Sequence, residues 1–197
     1  MPAPLDLVRS HFATSLETMQ RASRDDALLH SVSMIAEHLV RSFRSGRKVL
    51  LAGNGGSAAD AQHIAAEFLS RFRLDRTPLP ALALTTDTSV LTAIGNDFGF
   101  DQAFERQVRG LGRKGDIFIA ISTSGRSPNI IAALKAAREI GMTTIGFTGA
   151  RQSDMLAHCD QVLAAPSEDT ALIQQIHITA AHAICAAVEL ELFKPGG

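Results

Sequence analysis

Cysteine is scarce in this chain of 197 residues, which contains only Cys159 and Cys185 and no CxxC pair. Disulfide frameworks belong to oxidising compartments and need more cysteines, regularly spaced. The sequence therefore predicts two buried or half-buried free thiols in a protein of a reducing compartment.

An excess of charge of one sign is also lacking. The chain has 19 basic and 20 acidic residues, a formal net charge of −1, and no long basic block. Proteins whose main partner is a nucleic-acid backbone usually carry a basic footprint. The charge balance argues against nucleic acid as the partner and leaves a protein partner open.

Signals for export or membrane insertion are missing as well. The first residues, MPAPLDLVRSHF, include an acidic residue at position 6 and no apolar core of a signal peptide. No uninterrupted apolar run approaches the roughly 20 residues of a membrane-spanning helix. We expect a soluble, cytoplasmic protein with no membrane partner.

Apolar residues make up 46% of the chain, enough for one α/β domain with a full core. In residues 5–46 they recur every three or four positions, as Leu5, Val8, Phe12 and Leu16 and then as Leu28, Val32, Ile35, Leu39 and Phe43. This period predicts two amphipathic helices, with Ser23 or Asp25 capping the second and Gly46 ending it. Residues 1–46 form an N-terminal helical hairpin in this interpretation.

The remainder, residues 47–197, alternates short apolar runs with helical segments. The predicted strands are 48–53, 80–85, 116–121, 143–148 and 161–165, and the predicted helices are 57–71, 87–95, 101–110, 128–140 and 169–193. Alternation of this kind predicts an α/β fold in three layers, with a five-stranded parallel sheet between helices. The hairpin and this domain are expected to form a single structural unit.

Two loops follow predicted strands at the sheet edge where α/β folds bind ligands. The first is Gly53-Asn54-Gly55-Gly56-Ser57. It matches neither the dinucleotide-binding motif GxGxxG nor the Walker motif GxxxxGK[ST], so neither kind of nucleotide site is supported. Its glycines allow backbone to approach a ligand, but a purely structural turn remains open. The second, residues 122–128 (STSGRSP), crowds four hydroxyls before a helix that starts with the cap pair Ser127-Pro128. A cap needs one hydroxyl, so the second loop favours a phosphate monoester at a helix N-terminus.

Two helices carry candidate chemistry. His63 and Glu67 lie one turn apart after the first loop, a spacing that an ordinary exposed helix pair also shows. The last helix is apolar apart from insertions that include Gln174, Gln175, His177 and His182. Helical spacing alone does not choose between the two glutamines as the partner of His182.

Four segments together resemble the bacterial phosphoheptose isomerase family of the SIS fold, which is flavodoxin-like. They are GNGGSAADAQHIAAEF, LTAIGNDFGF, ISTSGRSPN and IQQIHITAAH, and the resemblance runs from about residue 25 to 193. Glu67 together with His182 distinguishes the isomerase from close relatives. One departure is Gln175, where the family commonly has glutamate, which puts local charge and metal affinity in question.

The resemblance implies conversion of sedoheptulose 7-phosphate to D-glycero-D-manno-heptose 7-phosphate, the first step toward ADP-heptose. It also implies a homotetramer with active sites at subunit interfaces, assembled partly through the N-terminal helices. The implied zinc ligands are His63, Glu67, Gln174 and His182. The implied substrate contacts are Asn54, Gly55, Gly56, Ser57, Glu67, Asn96, Asp97, Ser122, Thr123, Ser124, Ser127 and Gln174.

The residue types suit aldose-ketose isomerisation, which moves one proton between C1 and C2 and another between O1 and O2. We expect Glu67 to transfer the carbon-bound proton and His182 to serve the oxygens. The main alternative is a non-catalytic regulator of the same fold that binds the replication initiator DnaA and lacks these two residues. Arabinose 5-phosphate isomerases and sugar-phosphate sensors carry further domains for which this chain has no room.

Overall fold

The computed structural model describes residues 3–194, which form a five-stranded sheet covered by helices on both faces. The helices are α1 (Pro4–Ser23), α2 (Asp26–Arg44), α3 (Gly56–Leu69), α4 (Thr88–Phe98), α5 (Glu105–Leu111), α6 (Pro128–Ile140) and α7 (Thr170–Phe193). The strands are β1 (Val49–Gly53), β2 (Ala81–Ala83), β3 (Ile117–Ile121), β4 (Thr143–Thr148) and β5 (Gln161–Ala164). The predicted fold class is confirmed.

All strand pairs are parallel, and the strand order is β2-β1-β3-β4-β5. Val49 of β1 is in register with Ala81 on one side and with Ile117 on the other. The chain therefore reverses its direction of travel across the sheet between β1 and β3. In open α/β sheets this switch point opens a crevice at the carboxyl ends of the strands. Two loops flank that crevice: residues 53–57 after β1, which we call the glycine loop, and residues 122–128 after β3, which we call the serine loop.

Successive strand residues feed two separate cores, because side chains alternate across a sheet. Val49 and Leu51 join the core beneath α2, α3 and α7, whereas Leu50 and Ala52 join the core beneath α5 and α6. Both faces of β1 are buried. This explains why the strands are continuous apolar runs in the sequence.

Several predicted bounds change in the structure. The predicted strand 80–85 shortens to Ala81–Ala83, and the predicted helix 87–95 continues to Phe98. The predicted helix 101–110 is wrong in part: it becomes a 3-10 helix at Phe100–Gln102 followed by α5. Gln102 N and Ala103 N donate to the carbonyl oxygens three residues earlier, of Gly99 and Phe100, and the α-helix begins only after the buried Phe104. A second 3-10 helix, Asp154–His158, was not predicted.

Helix α7 is long and apolar enough to cross a membrane by length and composition alone. Here it is a core helix instead, since it packs against both α2 and α3 and buries residues such as Ile173, Ile176 and Val188. The cysteine prediction is confirmed for burial: Cys185 is buried, Cys159 is half-buried, and both are free thiols. Burial raises the pKa of each thiol to about 12.

Helix α1 extends an apolar stripe away from this core. Leu5, Val8, Phe12 and Leu16 are between 52% and 72% exposed. The sequence pattern correctly predicts an amphipathic helix here, and the second helix is capped by Asp25, whose side chain accepts from Leu28 N. The apolar face of α1 is thus formed but uncovered in the single chain.

Candidate active site

Three side chains from α3 and α7 meet above the sheet. His63 Nε2 lies 3.1 Å from Glu67 Oε1 and 3.1 Å from Nε2 of His182. Ligand atoms of all three residues lie within 4.8 Å of one another. The expectation that two helices remote in sequence bring Glu67 and His182 together is met by this geometry, and we refer to the three residues as the His-Glu-His cluster.

The cluster has the donor set of a divalent metal site. Two imidazole nitrogens lie 3.1 Å apart here. Because two acceptor nitrogens would repel each other, either one of them carries a proton or both bind the same cation. Imidazole and carboxylate are ordinary zinc ligands, and bonds of about 2.0–2.1 Å place tetrahedral ligands about 3.4 Å apart. The residues present therefore fit a zinc ion by chemistry, and the two 3.1 Å separations around His63 Nε2 are close to this value.

The side chain of Gln174 meets the start of α3 at Gly56. A Cβ on Gly56 would come 2.5 Å from Gln174 Nε2, so a larger residue at position 56 would displace the carboxamide. Gly56 precedes His63 by two helical turns. The roles of Gln174 as a zinc ligand and as a substrate contact both remain predictions, and the structure shows only that its carboxamide contacts the glycine loop at Gly56.

The neighbouring Gln175 faces away from this site. Its Oε1 accepts a hydrogen bond of 2.7 Å from Ser15 Oγ of α1. The structure therefore distinguishes the two glutamines that helical spacing left equivalent. The departure from the family at position 175 concerns the packing of α1 on α7.

The glycine loop and the serine loop both lead into helices without a side-chain cap. Helix α3 begins after Gly55, and Gly55 has a φ of 57°, which favours glycine. Helix α6 begins after Ser127, but the Ser127 hydroxyl makes no cap hydrogen bond. Instead, its Oγ lies 3.0 Å from Ser122 Oγ. Ser127 is the N-cap residue of α6 and Pro128 is its first residue, as predicted, but the Ser127 hydroxyl faces its own loop and does not cap the helix.

Three other helices show the contrast. The side chains of Asp25, Asp87 and Asp169 cap α2, α4 and α7. An aspartate cap would repel an anion, whereas free backbone N–H groups at a helix start attract one. The uncapped starts of α3 and α6 are thus suited to an anionic ligand.

A reciprocal amide pair joins the two loops. Asn54 Nδ2 donates to Asn129 Oδ1 at 3.0 Å, and Asn129 Nδ2 donates to Asn54 Oδ1 at 2.9 Å. Asn129 is 2% exposed. The Asn54 side chain, predicted to contact substrate, is therefore engaged in fixing the glycine loop to the first turn of α6. Sequence analysis missed Asn129, although it lies in the ISTSGRSPN segment.

The remaining loop hydroxyls are arranged by the backbone. Gly125 N donates to Ser122 Oγ at 3.1 Å, and Arg126 N donates to Ser124 Oγ at 3.3 Å. Gly125 has a φ of 63°, and a Cβ there would lie 2.1 Å from Ser153 Oγ. Thr123 and Ser124 line a small polar cavity with Ser167 and Thr170. The serine loop is thus a compact, glycine-dependent turn.

Two predicted substrate residues lie elsewhere. Asn96 and Asp97 belong to the last turn of α4, where Asn96 Nδ2 donates to Asp97 Oδ1 at 2.8 Å and both residues are exposed. Helix α4 packs mainly on the 3-10 helix that follows it, and none of its residues is buried. Within the described chain, these residues stand apart from the helices that carry the His-Glu-His cluster.

Asp60 is a carboxylate that sequence analysis missed. It lies one turn before His63 on α3, and its Oδ2 is buried without a hydrogen-bond partner among the described residues. Burial raises the pKa of Asp60, and His63 partly opposes that rise. The spacing Asp60, His63, Glu67 along one helix face was the available signal.

His177 is structural. It is fully buried, its Nε2 pairs with the Thr148 carbonyl oxygen at 3.0 Å, and its ring lies against Phe147. Burial lowers the pKa of His177 to about 4, and the hydrogen bond to Thr148 only partly opposes this. The folded chain therefore contains a neutral imidazole at this position.

This neutral histidine makes stability depend on pH. Below the ordinary histidine pKa of about 6.5, only the unfolded chain takes up the proton, so stability is complete above that pH and falls toward pH 4. The free energy of unfolding, measured with urea, is expected to fall by about 2 kcal/mol from pH 7 to pH 5 through His177 alone. In His177→Gln the decrease should be smaller by that amount. Equal pH dependence in both proteins would contradict the assignment.

The chain is similar to known proteins in both sequence and fold. The SIS domain family matches residues 11–149. A phosphoheptose isomerase of a Bradyrhizobium species is 59% identical over 189 residues, covering 96% of either chain. The phosphoheptose isomerase GmhA of Neisseria gonorrhoeae matches with a TM-score of 0.89 and 44% identity, covering 95% of this chain and 99% of its own. That of Francisella tularensis matches with a TM-score of 0.91 and 36% identity, covering 95% and 98%.

These matches confirm the resemblance carried by the four sequence segments. They extend across nearly the whole chain, including α7 with His182, so both halves of the His-Glu-His cluster fall within the aligned region. The chain belongs to the phosphoheptose isomerase family of SIS-domain proteins.

Proposed function

We propose that the protein isomerises sedoheptulose 7-phosphate to D-glycero-D-manno-heptose 7-phosphate, the first step toward the ADP-heptose of lipopolysaccharide cores. The observation that carries the proposal is the convergence of His63, Glu67 and His182 within 4.8 Å. The first two lie on α3, which begins without a side-chain cap, as α6 does. The relatives named phosphoheptose isomerase, at 56% to 61% identity, support this activity.

The phosphate of the substrate is assigned to the serine loop. Ser122, Thr123, Ser124 and Ser127 supply hydroxyls beside the uncapped start of α6. On α3, His63 follows the helix start by seven residues, about 10 Å along the axis. A phosphorylated seven-carbon chain can span from the loops to the His-Glu-His cluster, so its reacting end meets the titratable groups.

Glu67 and His182 divide the proton transfers between them. Glu67 takes a proton from C1 of the ketose and returns it to C2, while a proton moves from O1 to O2 through His182. The carbonyl shifts from C2 to C1, and the protein regains its starting protonation state. General acid–base groups of this kind contribute about 10²- to 10⁴-fold in rate.

We include a zinc ion in the proposal, held by His63, Glu67 and His182, with Gln174 as the predicted fourth ligand. The donor types and the 3.1 Å nitrogen–nitrogen spacing support it. Zinc, when bound, supplies a positive charge that polarises a substrate oxygen. The carboxylate of a metal ligand is a weaker base, so the metal requirement has to be measured.

Assembly as a homotetramer, with active sites at subunit interfaces, is the proposed quaternary structure. The exposed apolar stripe of α1 and the unburied helix α4 support it, because both present surface that a second copy would cover. Asn96 and Asp97 on α4 would then reach the site of a neighbouring subunit. Light scattering of the purified protein measures its molar mass in solution, and the mass of a monomer would refute the proposed tetramer.

The activity is tested by incubating the purified protein with sedoheptulose 7-phosphate, with and without a chelator, and following the product by NMR. Conversion to the aldose is expected, and chelation should lower the rate if the metal polarises the substrate. Restoring zinc should return the rate to its starting value. Absence of conversion with added zinc and without it would overturn the proposal.

The DnaA-binding alternative is not favoured. Glu67 and His182 are both present and adjacent in space, and the relatives at high identity carry the isomerase name. The protein is assigned to the cytoplasm, where phosphorylated sugars are metabolised. No nucleic acid or membrane partner is part of the proposal, in keeping with the near-zero net charge.

A further inference from the structure

The segment after α3 is organised by one buried carboxylate. Glu189 of α7 accepts hydrogen bonds from the backbone N–H groups of Phe72 (2.8 Å), Arg73 (2.8 Å) and Leu74 (3.1 Å). Burial by itself raises the pKa of Glu189, but these three donors and Arg76 outweigh it and hold that pKa below its ordinary value. An ionised carboxylate with three backbone donors fixes the path of the chain through residues 72–74.

Arg76 connects the same carboxylate to the end of α3. Its Nε lies 3.0 Å from Glu189 Oε1, and both side chains are at most 2% exposed. Its Nη2 donates to the carbonyl oxygen of Glu67 at 2.8 Å, and its Nη1 donates to that of Phe68 at 2.6 Å. Carbonyls in the last turn of a helix lack helical partners. Arg76 therefore caps the helix that carries Glu67 and ties it to α7.

The fixed segment holds an aromatic ring over the His-Glu-His cluster. The ring of Phe72 stacks on that of His182, with centroids 5.4 Å apart and planes inclined by 25°. The His182 ring also contacts the ring of His63, at a centroid distance of 5.2 Å. The imidazole of His182 is thus restrained by Phe72 as well as by His63.

We propose that Phe72 is a positioning residue that sets the plane of the His182 ring, and that Glu189 and Arg76 hold Phe72 in place. A stacked aromatic face restricts rotation of the imidazole and directs its Nε2 toward His63 and Glu67. Groups that orient a metal ligand typically change metal affinity or activity about 10- to 100-fold.

Phe72 also packs against the main core, so the test must separate positioning from packing. The matched substitutions are Phe72→Leu and Phe43→Leu. Phe43 is a buried core residue whose ring packs edge-on against Phe68 at a centroid distance of 5.3 Å and stacks on no ring of the His-Glu-His cluster. Both variants remove one aromatic contact, but only the first touches His182.

The decisive readout is NMR of the full-length, metal-free protein labelled at histidine and phenylalanine. The wild type should show a nuclear Overhauser contact between the rings of Phe72 and His182, and Glu189→Gln should weaken it. In Phe72→Leu the His182 ring signals should move and broaden, whereas in Phe43→Leu they should stay. Absence of the contact in the wild type, or unmoved His182 signals in Phe72→Leu, would overturn the proposal. Retention of the contact in Glu189→Gln would overturn the role of Glu189.

Zinc affinity and kinetics give a second readout, which rests on the proposed function. Phe72→Leu should weaken zinc binding and lower kcat about 10-fold with little change in KM, while Phe72→Tyr, which keeps the stacked ring, should restore both. Phe43→Leu should leave both unchanged. Were the protein inactive on the heptulose phosphate, the ring contact and zinc titration would still decide the role of Phe72. Zinc affinity in Phe72→Leu within twofold of wild type would count against it.

Discussion

Glu67→Gln is expected to lower kcat by about 100-fold or more while the protein stays folded. The carboxamide has nearly the same shape as the carboxylate but cannot accept the proton from C1, so the general-base contribution is lost. The Glu67 side chain is 22% exposed and its contact within the cluster is with His63, which limits the structural cost. The measurement is kcat with sedoheptulose 7-phosphate, with circular dichroism to verify the fold.

The matched control is Glu139→Gln, which removes a carboxylate that is 62% exposed on α6 and paired with Arg109. Its kcat should equal that of the wild type. Because Glu67 is also a proposed zinc ligand, the zinc content of Glu67→Gln is measured alongside. Lost activity with zinc retained identifies the base role, and activity above a tenth of wild type would refute it.

Arg76→Met should destabilise the fold by about 3–5 kcal/mol. The substitution keeps an unbranched apolar stem but leaves the buried Glu189 without its cation, and removing one partner of a buried ion pair has this cost. The carbonyl oxygens of Glu67 and Phe68 also lose their donor. Urea unfolding at pH 7 gives the free-energy difference.

Arg109→Met is the control for the lost charge. Arg109 also contacts two carboxylates, those of Glu105 at 2.9 Å and Glu139 at 2.8 Å, but it is 46% exposed. Exposed ion pairs contribute at most about 1 kcal/mol. The assignment of Arg76 to a buried network predicts a clear difference between the two variants, and equal destabilisation would contradict it.

The fold was predictable because its signals are local. Strands β1 and β3 are buried on both faces, so each is a continuous apolar run, and α6 and α7 match their predicted ranges to within one residue. Where packing decides, local signals failed. The predicted helix 101–110 starts as a 3-10 turn and becomes an α-helix only after Phe104, and Ser127 is the N-cap residue of α6 but its hydroxyl faces Ser122.

The site was predictable only in part, for the same reason. His63 and Glu67 share one helix, and the family resemblance supplied His182. The contacts that arrange them cross the chain: Glu189 is 113 residues from Arg76, and Asn54 is 75 residues from Asn129. No spacing rule reaches that far. The segment VELELF places Glu189 and Glu191 among apolar residues, but it does not show that the first is buried and the second exposed.

The separation of the cluster along the chain has a consequence for synthesis on the ribosome. His182 lies 119 residues after His63, so a growing chain exposes His63 and Glu67 long before the third donor exists. At about 5–20 residues per second, that interval lasts about 6–24 s. During it the nascent protein carries only two of the three members of the His-Glu-His cluster. The cluster is therefore completed only when α7 has been made and docks beside α3.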